Sequence, residues 1–410
     1  MKDSYTRFAR VAVVPERRSN GVILLDNAIT LPAFEGTLLD RLARWAIERP
    51  AAVFLSEAHG DTRRSVTYGE AAQTVDRLGA HLLALPVSTD RPLTLIGANG
   101  IAHALVMLAA TRVGLPVAII SPTHCSAVTR PWTKLQRMIE RLDSGFVLAD
   151  DTAGASDVFA AFGRGDIPVR PLRDLAWIDE LPSAEPDAVA QAAGAVTGDT
   201  VAKLLFTSGS TGAPKAVMNT QAMMVSNMAG LAAVWPFLGN RPPVLVDWLP
   251  WSHTFGGNCC FNVALYFGGT LHIDDRRPLP GHIERTVATL RRHRPTVYFN
   301  VPAGYEALLP FLEADHDFAA DFFGALDIVF NAGAALPERL RTRLKTLAHR
   351  VTESRRRSWV GGDRPRRRPS RPCCIMTHPM RRTWARRCPE RRSSLCPGPT
   401  VSSCGCAAPM

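Results

Sequence analysis

Apolar positions alternate along this chain between a helical period and short continuous runs. Leu38, Leu39, Leu42 and Trp45 share one face of a helix predicted from Thr37 to Ile47, and Pro50 stops the pattern. Val66, Tyr68 and Gly69 open the next unit, whose helix runs through Leu78 to Leu85. Leu93 to Ile96 predicts a short buried strand, Ala102 to Val113 a nearly all-apolar helix, and Val117 to Ile120 a second strand. Strand, helix and strand at this spacing form a βαβ unit, which requires a parallel sheet. Lys134 to Leu142, Phe146 to Leu148 and Val158 to Phe162 continue the alternation.

Residues 181–199, rich in Ala, Pro, Gly and Asp, predict a surface connector. Beyond it, strands are predicted at Val201–Phe206, Val244–Trp248, Thr270–Ile273, Thr296–Asn300 and Leu326–Asn331. Helices are predicted at Gln221–Trp235, His282–Arg294, Pro302–Leu312 and Pro337–His349. The fold class is α/β, with doubly wound parallel sheets and flanking helices. Residues 1–35 offer only an apolar stretch from Val22 to Leu25 and are set apart as an N-terminal extension.

Composition changes this picture in one place. The chain of 410 residues, 46% hydrophobic and 21% charged, is ordinary for a globular protein. Its start is polar, and no run reaches the ~18 apolar residues of a membrane helix. A cytoplasmic protein without a membrane span is expected. The net charge of +11 is not spread evenly. Residues 351–410 hold 14 Lys+Arg against 3 Asp+Glu, so of the 48 and 37 in the chain, 34 of each remain before residue 351. Six of the nine cysteines (Cys373, Cys374, Cys388, Cys396, Cys404 and Cys406) are in that tail.

The segment richest in chemistry follows the strand at Val201. It reads Leu-Leu-Phe-Thr-Ser-Gly-Ser-Thr-Gly-Ala-Pro-Lys-Ala-Val over residues 204–217. Glycines Gly209 and Gly212 let backbone N–H groups close on an anion. Thr207, Ser208, Ser210 and Thr211 add hydroxyl donors, and Lys215 adds charge. This chemistry suits a polyphosphate. The Gly-Lys-Ser/Thr ending of a Walker loop is missing, and Ser210 does not sit in a Gly-x-Ser-x-Gly elbow.

The loop resembles the phosphate-binding signature of AMP-forming adenylating enzymes, departing only in Ala216, where that family has glycine. If that position needs positive φ, alanine costs about 1–2 kcal/mol. Three further segments extend the resemblance. Val244 to Asn258 is a strand leading into a loop with Trp251, His253, Phe255 and Gly256, the kind of strand end where α/β sheets place ligands. The resemblance implies that these four line the acyl group and that His253 lines or gates its pocket. It places Asn300, Val301 and Pro302 at the acyl site, and the small residues Gly333, Ala334 and Ala335 against adenine. Asp247-Trp-Leu-Pro-Trp-Ser-His-Thr-Phe-Gly-Gly and Tyr298-Phe-Asn-Val-Pro are most similar to the bacterial feruloyl-CoA synthetase group.

The resemblance implies a ligase that activates a carboxylic acid with Mg·ATP and passes the acyl group to CoA. Lys215 would neutralise the phosphates, a hydroxycinnamate such as ferulate would be the acid, and a medium-chain or aryl acid is the alternative. It spans residues 36–350, taken as an incomplete AMP-binding domain. The family's Gly-x-Thr-Glu, its ribose-binding aspartate, the arginine after it and its small C-terminal lysine domain cannot be placed here. No metal ligand is assigned, and little or no thioester formation is expected of the chain as written.

Three readings of the tail follow. A nucleic-acid arm is possible, but interleaved Cys and Pro without aromatic spacing argue against it. A metal site lacks Cys-x-x-Cys pairs. Translation in a shifted frame explains the Arg, Pro, Cys and Ser text. A one-base shift across Gly361 to Pro372 permits W-G-G-S-T-E-T-A-P-L-A-T, which contains the missing Thr-Glu. The expectation is therefore a frameshift near residues 351–360, leaving residues 351–410 as an out-of-frame, disordered tail, with a non-catalytic remnant as the alternative product. Resequencing the gene from codon 340 past codon 410 checks this. One inserted or deleted base restoring that text is the expected result, and an intact frame encoding the tail overturns it.

Overall fold

The computed structural model describes residues 8–10, 12–34, 36–59, 62–208, 214–274, 281–358 and 374–377. A six-stranded sheet runs in the order 214–220, 201–208, 117–120, 93–96, 146–149, 169–171. All its neighbours are parallel except the edge pair, where Pro214–Thr220 turns back antiparallel on Val201–Ser208. A second sheet orders Val244–Asp247, Thr270–Ile273, Val53–His59 and Thr62–Thr67, the last pair antiparallel. The third pairs Val297–Asn300, Ile328–Asn331 and Cys374–Thr377 in parallel. The Thr296 N–H donates to the Val244 carbonyl and the Val244 N–H donates to the Thr296 hydroxyl, joining the second sheet to the third.

Composition explains the layering. The strands Leu93–Ile96, Val117–Ile120, Phe146–Ala149, Val297–Asn300 and Ile328–Asn331 are buried along their whole length, as expected of parallel strands covered by helices on both faces. Helix Ile101–Arg112 is buried on nearly every side because it lies between the six-stranded and four-stranded layers, and its nearly all-apolar text follows from that. Helix Leu38–Glu48 starts at a capping box in which the Thr37 hydroxyl accepts from the Asp40 N–H and the Asp40 carboxylate accepts from the Thr37 N–H.

Several elements differ from expectation. The segment 181–199 contains a helix, Pro186–Gly194, whose Val189 docks into the main core. Residues 13–27 form an antiparallel hairpin, Val13–Arg17 with Ile23–Asn27, with Val13, Val14, Ile23 and Leu25 exposed. Helix Glu338–Ser358 crosses the boundary expected at residue 350. The tail is not irregular throughout, since Cys374–Thr377 pairs in register with Ile328–Asn331. These four residues, Cys-Ile-Met-Thr, lack the Arg and Pro of the surrounding text, and Pro is what excludes a ladder position. Among the described residues no helix is long and apolar enough to cross a membrane.

Two histidines are stacked within the fold. The rings of His272 and His293 lie 3.6 Å apart, and His272 Nδ1 is 2.9 Å from the Ser56 hydroxyl. Burial pushes His272 down to about 3, with the charges of His293 and Arg63 adding to it. His293 falls to about 4, through burial and then Arg63 and Arg292. The unfolded chain titrates these rings near 6.5, so on acidification it takes up protons that the folded chain does not. Stability from this pair is present above about 6.5 and is lost as pH falls below it. Urea unfolding at pH 7 and pH 5 should show a larger loss in the natural chain than in a His272→Gln/His293→Gln double variant. Equal losses would refute the assignment.

Candidate active site

The strand Val201–Ser208, next to the edge of the six-stranded sheet, returns as the edge strand Pro214–Thr220. Antiparallel register sets Lys215 opposite Thr207, and the Lys215 side chain is exposed. Gly209, Ser210, Thr211 and Gly212 lie outside the described residues, as does the side chain of Ser208. Ala216 sits in the returning strand opposite Phe206 and is not among the non-glycine residues with positive φ. The alanine therefore carries no left-handed strain, and the cost considered for it does not arise.

Beyond Asp247 the chain forms a tight turn that passes into a π-helical segment, Phe255–Cys260, and then into helix Phe261–Tyr266. Two glycines make this possible. A Cβ on Gly256 would lie 2.3 Å from the Leu249 carbonyl oxygen, and one on Gly257 would lie 2.4 Å from that of Trp251. Asn99 clamps the same turn from below, its Nδ2 donating to the Leu249 carbonyl and its Oδ1 accepting from the Trp251 N–H. His253 is exposed at the tip. Its N–H donates to the Pro250 carbonyl and its carbonyl accepts from the Gly257 N–H at 2.8 Å. His124 faces it, held below the usual histidine range by burial and then by the nearby charges of Lys134 and His253.

The resemblance implies that Trp251 lines the acyl group, but it is 1% exposed. Its ring packs edge-on against His103 and Phe261, with centroids 5.3 and 5.0 Å apart. The large apolar ring is the turn's anchor in the core, which leaves the tip to Ser252, His253 and Thr254. Phe255 points the other way and meets Phe299 and Phe330, each with centroids 6.1 Å apart. Through it the turn reaches the ends of strands Val297–Asn300 and Ile328–Asn331.

At those strand ends Asn300 is buried. Its Nδ2 donates to the Tyr298 hydroxyl, and its Oδ1 accepts from Trp248 Nε1 and from the Val301 N–H. Gly304 is required there, because a Cβ would meet the Asn300 amide at 2.1 Å. Pro302 begins the following helix and is half-buried. Gly333, Ala334 and Ala335 are exposed in a segment where Gly333 has φ +83°, and a Cβ on Gly333 would crowd Val301 at 3.2 Å. Asn331 secures this segment by donating to the Ala334 carbonyl.

Three buried groups went unnoticed in the sequence. Lys203 is 2% exposed, and burial pulls its ammonium down to about 7. Burial pushes Asp247 up to about 8, the neighbouring Asp274 adding to it against the N–H bond from Leu249. His103 falls to about 4 by burial, and its Nδ1 lies 3.2 Å from the Ala98 carbonyl oxygen. Each is a polar residue inside an apolar run, which was the available signal. Among the described residues no group of three or more His, Cys, Asp or Glu side chains could hold a metal ion.

The model of the AMP-binding enzyme family matches residues 39–354. The chain is 26% identical to 4-chlorobenzoate–CoA ligase of Arthrobacter sp, over 74% of this chain and 55% of that protein. It is also 26% identical to 4-hydroxybenzoate–CoA/benzoate–CoA ligase of Rhodopseudomonas palustris, over 61% and 45%. It thus spans about half the length of these curated relatives. Among solved structures, an adenylation domain of a keto acid-selecting NRPS module bound to keto acyl adenylate superposes with TM-score 0.64 at 17% identity, covering 79% of this chain and 56% of that one. VinN with L-aspartate gives 0.60 at 23%, covering 77% and 73%. These likenesses show the fold.

The glycine pair provides a test of the turn. Gly257→Ala should destabilise the protein by about 1–3 kcal/mol, since the carbonyl it would strike is backbone and must move. Gly239→Ala, with nothing within 4 Å, should stay within about 0.5 kcal/mol. Chemical denaturation of both variants checks this, and an unaffected Gly257→Ala would show that the turn does not need the close approach.

Proposed function

Because the chain belongs to the AMP-binding enzyme family, we propose that it activates a carboxylic acid with Mg·ATP, the first half of an acid–thiol ligase reaction whose second half passes the acyl group to CoA, with little or no thioester formed by this chain. A carboxylate oxygen attacks the α-phosphorus of ATP, the bond to the leaving pyrophosphate breaks, and an acyl-adenylate forms. The CoA sulfur then attacks the acyl carbon and AMP leaves, giving the thioester. The observation that carries this reading is the hairpin that sets Lys215 opposite Thr207 at the edge of the sheet, tied to the turn bearing His253. Lys215 is positioned to neutralise charge that grows on the departing pyrophosphate, an electrostatic role needing no protein nucleophile. Gly333 to Ala335 offer a small, exposed segment on which a purine can lie.

A planar aromatic acid, a hydroxycinnamate such as ferulate, is the proposed substrate. Support comes from Phe255, Phe299 and Phe330, which place rings beneath the His253 turn. The benzoate-type acids in the names of the two relatives above point the same way. A medium-chain or other aryl acid is the second candidate. His253, Gly256, Asn300 and Pro302 are assigned to the acid side.

Carboxylate-dependent exchange of labelled pyrophosphate into ATP reads the first half-reaction alone. Ferulate should support exchange better than octanoate. Lys215→Ala should lower the exchange rate by about 10²-fold while leaving the melting temperature unchanged, because the side chain is exposed. No exchange with a broad panel of acids would reject the proposal.

A further inference from the structure

A charged residue inside a parallel-sheet strand is costly, and Lys203 is such a residue in the strand that leads into the phosphate hairpin. Its neighbours in register are Val117 on one side and Asn219 on the other. Its Nζ donates to the Gly257 carbonyl at 3.0 Å and lies 5.5 Å from the centre of the Phe261 ring. Gly257 in turn donates its N–H to the His253 carbonyl. A second tie runs parallel to the first, where Asn258 Nδ2 donates to Asn219 Oδ1 at 2.9 Å. Both ties join the hairpin carrying Thr207 and Lys215 to the π-helical turn carrying His253.

We propose that Lys203 is a positioning residue for the acid-binding turn: through Gly257 it holds His253 in place relative to the phosphate hairpin. This rests on assigning His253 to the acid side. An apolar residue would pack the same strand without the desolvation cost, so packing alone gives no reason for a lysine. The ammonium supplies one directed, charge-assisted bond to a carbonyl in a segment whose helical ladder is irregular. The ring of Phe261 faces the same charge. His103 is close enough to sense Lys203, and the charges of Asp150 and Arg173 also act on His103, so this corner is electrostatically coupled. Burial that draws the lysine toward neutrality weakens the tie as pH rises through about 7.

Lys203→Met preserves the length of the side chain and removes the donor. The expected result is an acid KM in pyrophosphate exchange raised at least about tenfold, the worth of a charge-assisted bond. The KM for ATP should stay within about twofold, and the urea midpoint should be no lower than in the natural chain. Lys203→Arg, which retains charge and donor, should recover part of the acid KM. An unchanged acid KM in Lys203→Met, or equal changes for acid and ATP, would overturn the proposal.

A measurement without substrate separates this inference from the activity it rests on. The His253 Cε1–H resonance, identified by its loss in His253→Asn, should shift or broaden in Lys203→Met. If that signal does not move, the inference fails even where exchange is intact. If the natural chain exchanges with no acid but the signal moves, the positional tie stands and only the ligase reading falls.

Discussion

The close approach of the Phe255–Cys260 segment to the carbonyls of Leu249 and Trp251 is the constraint on which the rest of the site depends. Only residues without a Cβ permit it at positions 256 and 257. Once it is made, the turn has no freedom to drift, because it is held from several directions. Asn99 binds it from the loop after strand Leu93–Ile96, Trp251 fills the core beneath it, Phe255 reaches the third sheet, and Lys203 and Asn219 tie it to the hairpin. One short segment thus touches both the hairpin of the six-stranded sheet and the strand ends at Phe299 and Phe330.

Buried polar chemistry at this seam is uneven. Lys203, His103 and Asp247 are each displaced toward their neutral forms by burial, while the exposed tip gathers His124, Lys134 and His253. A protein selected only for stability would replace the buried groups with apolar ones of similar size. Keeping them makes sense where backbone position matters more than a few kcal/mol. Asn300 illustrates the same economy at the adjoining strand, where its amide binds a tyrosine hydroxyl, an indole N–H and the next main-chain N–H, and Gly304 vacates the space for it.

Much of the architecture was legible in the chain because parallel strands and amphipathic helices have distinct periods. Leu93–Ile96 and Val117–Ile120 agree with expectation to the residue, and helix Pro302–Ala314 to within two. The hairpin Val13–Asn27 did not stand out, since it buries little and its apolar residues have no face to follow. The helix Pro186–Gly194 was hidden by an Ala- and Pro-rich composition that reads as loop until Val189 finds the core. The π-helical turn was equally hidden, because no local period encodes it.

The hairpin of Val201–Ser208 with Pro214–Thr220 illustrates the division. Its glycines, hydroxyls and Lys215 follow from residue type and order, so the sequence by itself determined that a glycine- and hydroxyl-rich loop with a lysine at its end follows an apolar strand. The same is true of the α/β class, which burial periods decide. Tertiary structure alone decided that Trp251 is an anchor and His253 the exposed tip, although both stand in one phrase two residues apart. It also decided that Lys203 reaches Gly257 across 54 positions of chain. Such assignments depend on which carbonyls face inward once three sheets have packed, and no local sequence period carries that information.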